Sequence, residues 1–135
     1  MINKEKKVAK KIKKLLSKRG FLVHQHNSQT SKSVYIKIDR GMLPSIRISD
    51  HKRLNNDNCK YNVIKNYNGV RNEIVNGREK KYYNFRNLRR LITDIELERN
   101  NKIITIGYLR YKKILKTKVN RKISNNKNNY YEKVA

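Results

Sequence analysis

Apolar residues recur along this chain with two different periods. Over residues 4–18 they fall at Val8, Ile12, Leu15 and Leu16, spaced i, i+4, i+7 and i+8. That is the stripe of an amphipathic helix. Lys6, Lys7, Lys10, Lys13 and Lys14 take the opposite side. Lys18 and Arg19 followed by Gly20 predict the C-terminal stop. A single apolar stripe needs a covering surface, so the helix is expected to pack on a sheet.

The period then shortens to two. Phe21 to His26 reads as a short strand, and Ser28 to Lys32 as a polar loop. Val34, Ile36 and Ile38 alternate with Tyr35, Lys37 and Asp39, so the two sets lie on opposite faces of a strand. Arg40-Gly41 and Pro44 predict a turn. Ile46 and Ile48 then alternate with Arg47 over residues 45–50. The two runs predict an antiparallel hairpin whose open face carries Tyr35, Lys37 and Arg47. Residues 52–60 read as a polar loop and Tyr61 to Ile64 as a further strand. Asn68-Gly69 and Asn76-Gly77 are turn dipeptides around Val70 to Val75, a short strand or an excursion. Lys80 to Tyr83 reads as an edge strand.

Phe85, Leu88, Leu91, Ile92 and Ile95 return to the helical period, with Asn84 as the expected N-cap and Arg86 and Arg90 on an outer face. Asn100-Asn101 is the expected stop. Ile103 to Leu109 is β-branched and apolar, which predicts a strand. Tyr111, Ile114 and Leu115 also fit a helical continuation, and periodicity leaves both open. The sequence contains no internal repeat. The expected fold is α+β: an antiparallel sheet of about four to five strands with two helices packed on one face. A single domain is expected over residues 1–119, with a flexible basic tail over 120–135.

Charge changes this picture from a generic fold to a functional expectation. The 135 residues hold Lys+Arg 35 against Asp+Glu 10, a formal net charge of +25. Abundant Lys, Asn and Ile match the bias of an AT-rich genome, but that bias does not explain why acids are scarce. A polyanionic partner does, which means a nucleic acid or a nucleoprotein. The apolar runs are too short to span a membrane, and residues 1–16 lack the features of a signal peptide. A lone Cys59 excludes an intramolecular disulfide and a paired-cysteine zinc site. Cytoplasmic location follows as an expectation. The Lys face of the first helix, with Lys81, Arg86, Arg89 and Arg90, is the expected phosphate-contacting set.

Aromatics add a second feature. There are 9 tyrosines and no tryptophan, and Tyr35, Tyr61, Tyr67, Tyr82, Tyr83, Tyr108 and Tyr111 sit in or beside basic segments. A tyrosine ring can stack on an unpaired base while Lys or Arg follows the backbone. It is also a good strand residue with an apolar body. Tyr35, opposite the apolar face of its strand, is the strongest candidate. Other chemistry is weaker. His24-Gln25-His26 puts two rings on one side of a strand, with His51 or Asp50 as a third metal ligand, but the field of +25 opposes a dication. Asp39, Asp50 and His51 form the sparse carboxylate set of a small magnesium-dependent nuclease. The bland alternative makes Asp50 and His51 a local turn. Cys59 has no matched base and is expected to be inert. The sequence contains no Gly-rich phosphate loop, and no metal or cofactor is expected.

Ser31-Lys32-Ser33-Val34-Tyr35-Ile36-Lys37-Ile38, followed by Ser45-Ile46-Arg47-Ile48-Ser49-Asp50-His51, resembles a group of small phage proteins from Gram-positive hosts. These share Ser-x-Ser-x-Tyr, a turn, then Ile-Arg-Ile-Ser-Asp-His. A similar Arg-hydrophobic-Ser-Asn/Asp-His string occurs in some small basic anti-CRISPR inhibitors of Cas9. The resemblance covers about 20 of 135 residues. It implies a protein without catalytic activity that binds a CRISPR effector, its guide RNA or both, in the cytoplasm of a bacterial host. The residues it carries over are Ser31, Ser33, Tyr35, Arg47, Ser49, Asp50 and His51. The alternatives are a general RNA- or DNA-binding domain and the small nuclease. A membrane or a small-molecule substrate is not an expected partner.

Overall fold

The computed structural model describes residues 4–49, 61–64, 69–75 and 77–116. They divide into two compact units, Met1–Glu96 and Leu97–Ala135. The expected tail over 120–135 lies outside the described residues.

The first unit opens with α1 (Lys4–Lys18). Lys and Leu are good helix formers, so propensity and stripe agree. The helix ends in a Schellman motif. The Phe21 N–H donates to the Leu16 carbonyl (3.1 Å) and the Gly20 N–H to that of Ser17 (3.0 Å). Gly20 supplies the left-handed φ of +82° that this ending needs. Leu16 and Phe21, on either side of the motif, both enter the core.

Six strands follow in one sheet: β1 (Val23–Asn27), β2 (Val34–Ile38), β3 (Leu43–Ser49), β4 (Tyr61–Ile64), β5 (Val70–Val75) and β6 (Arg78–Asn84). The spatial order is β1-β2-β3-β4-β6-β5. β1, β2 and β3 form the expected antiparallel meander, and β5 and β6 pair antiparallel. β3–β4 and β4–β6 pair in parallel. The sheet is therefore mixed and larger than the antiparallel sheet of four to five strands read from the sequence. Alternation reports which face a residue takes; it carries no strand direction. β6, expected at an edge, lies inside the sheet between β4 and β5.

Pro44 belongs to β3 and not to the preceding turn. Ile36 pairs with Ile46 and Ile38 with Leu43, so Pro44 and Ser45 together oppose Lys37 across a bulge. A bulge is where a strand tolerates a residue without an N–H. The turn before it is a short 3-10 segment, Asp39–Gly41. Asp39 and Arg40 take positive φ (48° and 59°).

α2 (Leu88–Ile106) follows. Asn84 ends β6 and is not the N-cap: its Oδ1 accepts the Arg86 N–H (2.8 Å). Asn87 precedes the helix, and its carbonyl accepts the first intrahelical bond from Leu91 (3.3 Å). Leu88, Leu91, Ile92 and Ile95 are buried, as the stripe predicts. They join Ala9, Ile12 and Leu16 of α1 in one apolar cluster with Val34, Ile36, Ile38, Ile46, Ile48, Val63 and Tyr83. Both helices thus bury into the same side of the sheet, and the fold is α+β.

In the second unit α2 runs on to Ile106, Gly107 breaks it with φ +93°, and α3 covers residues 108–116. The stop at Asn100-Asn101 and the strand over Ile103 to Leu109 are therefore corrected to helix. A β-branched residue in a helix costs a few tenths of a kcal/mol, about 0.5, whereas a strand needs a hydrogen-bonded neighbour. Ile103 and Ile106 are half-buried and Ile104 exposed, a helical pattern and not an alternating one. Tyr111 and Leu115 are buried in α3.

Candidate nucleic-acid interface

Charge is segregated in the first unit. Between residues 4 and 49 both acids, Glu5 and Asp39, are buried, and every exposed charged side chain is a Lys or an Arg. The remaining described acids, Glu73, Glu79, Asp94, Glu96 and Glu98, lie on β5, β6 and α2. The segment formed by α1 and β1–β3 therefore presents cations without an acid among them.

α1 concentrates these cations. Its apolar stripe, Ala9, Ile12 and Leu16, is buried against β1, β2 and β3. Lys6, Lys10 and Lys14 are exposed, as their spacing predicts. Lys13 is half-buried beside the apolar stripe. Lys7, Lys11, Lys14 and Lys18 are all exposed, and their spacing of i, i+4, i+7 and i+11 puts them in one row. Lys11 and Lys18 are absent from the sequence-derived set, although the same periodicity marks them. A helix of 15 residues is about 22 Å long. That length matches about six phosphates of one duplex strand.

The face of the sheet turned away from α1 carries a second group; this face is open at His26 and Lys37, half-buried at Tyr35 and Arg47, and covered at Asn62 and Tyr82. Register places His26 beside Tyr35, Tyr35 beside Arg47, Arg47 beside Asn62, Asn62 beside Tyr82 and Tyr82 beside Arg71, in one row across all six strands. The His26 and Tyr35 ring centroids are 6.3 Å apart. The Arg47 guanidinium lies 5.8 Å from the Tyr35 ring and the Arg71 guanidinium 4.7 Å from the Tyr82 ring. An Arg47 terminal nitrogen donates to Ser33 Oγ at 3.4 Å. Tyr35, Lys37 and Arg47 come together as expected, with Lys37 exposed and the other two half-buried. Ser49 is buried at 1% exposure and offers no surface. His51 lies outside the described residues.

The row contains an anomaly that sequence reasoning misses. Asn62 is 0% exposed, and neither its Nδ2 nor its Oδ1 has a hydrogen-bond partner among the described residues. The Nε of its register neighbour Arg47 also has none. Nothing in the string Tyr61-Asn62-Val63-Ile64 marks this, because burial and partners depend on residues distant in sequence, such as its register neighbours Arg47 and Tyr82.

Most of the described tyrosines lie in the interior. Tyr61, Tyr82, Tyr83 and Tyr111 are at most 2% exposed, so none offers a ring to a base. Tyr35 is flanked on both sides by His26 and Arg47. Tyr108 is exposed and lies under Lys112 (5.6 Å). Tyr67 is outside the described residues. Strand and core packing account for this residue type better than stacking does.

The third basic group is separate from the open face. Lys81 is half-buried and shares the helix side of β6 with Tyr83. Arg86, Arg89 and Arg90 are exposed around the start of α2, and Arg90 pairs with Asp94 (3.4 Å).

Of the residues proposed for metal chemistry, His24, His26 and Asp39 are described, and Asp50 and His51 lie outside the described residues. His24 and His26 share the open face, but the described residues contain no cluster of three His, Cys, Asp or Glu able to hold a metal ion. Asp39 is wholly buried; its Oδ1 accepts the Leu22 N–H (3.0 Å) while its own N–H donates to the Leu22 carbonyl (2.7 Å). It is a turn lock. Cys59 also lies outside the described residues. No helix among the described residues is long and apolar enough to cross a membrane. Comparison of the chain with protein-family models, curated proteins and solved structures returns no match in any of the three.

Proposed function

We propose that this chain is a non-catalytic binding protein whose partner is a nucleic acid or nucleoprotein, docked through its phosphate backbone on the lysine ridge of α1. The segregation of charge over residues 4–49 carries this reading. Random sequence bias would scatter the few acids, whereas here every exposed charged side chain of that segment is cationic. Cations so arranged release counterions when phosphates replace them, which makes binding favourable and salt-dependent. RNA is preferred over DNA as partner, in the cytoplasm of a bacterial host. Filter binding of a short RNA duplex at low ionic strength tests the reading. Retention that fades steeply with added salt is expected, and no retention would overturn it.

A CRISPR effector ribonucleoprotein, or its guide RNA, is the more specific target. One observation favours it: Tyr35 and Arg47, two of the residues that carry the resemblance to small basic inhibitors of Cas9, lie side by side on the face turned away from α1. Addition of the protein to a Cas9–guide complex is then expected to block target cleavage. Unchanged cleavage at saturating protein would leave the general RNA-binding reading and remove this one.

A further inference from the structure

The basic residues of α1 and those of β2 and β3 occupy two opposed faces of the first unit. α1 lies on one side of β1–β3 with its Lys7, Lys11, Lys14 and Lys18 turned outward. Lys37 and Arg47 lie on the opposite side of the same three strands, by the alternation that buries Ile36, Ile46 and Ile48 toward α1. A helix about 10–12 Å in diameter separates the ridge from the sheet. That exceeds the Debye length of about 8 Å at physiological salt. Each face therefore meets its own counterions, and one rigid duplex cannot touch both.

We infer that a single chain bridges two nucleic-acid segments, one on the α1 ridge and a second on the open face at Lys37 and Arg47. The inference rests on the nucleic-acid reading above. Charge complementarity selects the occupant of the open face: among residues 4–49 it exposes no acid. The cations themselves select its chemistry. Lys37 is exposed and Arg47 half-buried, whereas the Arg47 Nε and the Asn62 amide are buried and offer nothing to a ligand. An exposed ammonium beside a guanidinium suits phosphodiester oxygens. The Tyr35 ring, flanked by His26 and Arg47, is not free to stack, so the second segment is held by its backbone.

Native mass spectrometry with a short RNA duplex in excess counts chains and duplexes in each complex. One chain carrying two duplexes is expected. The ridge variant Lys7→Gln/Lys11→Gln/Lys14→Gln/Lys18→Gln and the open-face variant Lys37→Glu/Arg47→Gln should each carry one. Lys37→Glu alone changes only an exposed side chain and should weaken the second duplex about tenfold. Saturation at one duplex per chain would overturn bridging while leaving the binding function intact. Two duplexes found only with two chains, or retained by either multiple variant, would also overturn it. No complex at all would overturn the nucleic-acid reading itself, a separate and recognisable outcome.

Discussion

The Tyr83 hydroxyl donates a 2.6 Å hydrogen bond to Oδ2 of Asp94, fastening an inner strand of the sheet to α2. Arg90 holds the other oxygen of the same carboxylate. Tyr83 itself is fully buried. A hydrogen bond to a charged group at such a site contributes about 1.5–3 kcal/mol. Tyr83→Phe should lower the urea-unfolding free energy by that amount, and an unchanged midpoint would show that the contact does not hold α2.

The same contact sets an alkaline limit. Burial pushes the Tyr83 phenol above the usual tyrosine range, and the hydrogen bond to Asp94 and that carboxylate's charge push it further. In the unfolded chain a phenol ionises near pH 10. Above that pH the unfolded state has lost a proton that the folded state keeps. Stability contributed by this group is thus complete below about pH 10 and falls above it, by about 1.4 kcal/mol per pH unit. Unfolding measured between about pH 9 and 11 should show an alkaline decline that Tyr83→Phe reduces. Equal declines in both proteins would contradict the assignment.

Asn62 should be replaceable with a gain. Its amide is wholly buried with no described partner, and an unmet buried polar group costs about 1–3 kcal/mol. Asn62→Leu, which keeps the branching and number of side-chain heavy atoms, should raise the melting temperature. A fall would mean that the amide is satisfied by a group outside the described residues.

Asp39 tests structure against catalysis. Asp39→Ala removes the acceptor of the Leu22 N–H and puts alanine at φ 48°, at a cost of about 1–3 kcal/mol. Asp39→Asn keeps an acceptor and tolerates the left-handed backbone, so it should fold nearly as well. Both variants should bind RNA like the parent at a temperature where they are folded. Magnesium-dependent RNA cleavage by the parent, lost in Asp39→Asn, would restore the nuclease alternative.

Local periodicity carried much of this fold. Val8, Ile12 and Leu16 mark α1 and Gly20 its end, and the alternation around Tyr35 and Arg47 places both on the open face. What was illegible is non-local. The parallel pairing of β4 with β3 and β6 depends on how the chain crosses between strands, which residue alternation does not encode. Ile103 to Ile106 satisfies strand propensity, yet the helix supplies its own hydrogen bonds and needs no neighbour. The site shows the same division. Lysine spacing on α1 is readable, including Lys11 and Lys18. The placement of that ridge behind the sheet from Arg47, and the burial of Tyr61, Tyr82 and Tyr83, depend on which layers cover which face.

The most direct measurement is the salt dependence of RNA-duplex affinity for the parent and for the ridge variant Lys7→Gln/Lys11→Gln/Lys14→Gln/Lys18→Gln. Each lost phosphate contact should flatten the plot of log K against log salt by about 0.9 for a duplex, so four lost contacts flatten it by about 3 to 4. All four side chains are exposed, so the variant should remain folded. A parent that binds weakly and without salt dependence, or a variant with the parent's slope and affinity, would contradict the claim that this ridge docks phosphate.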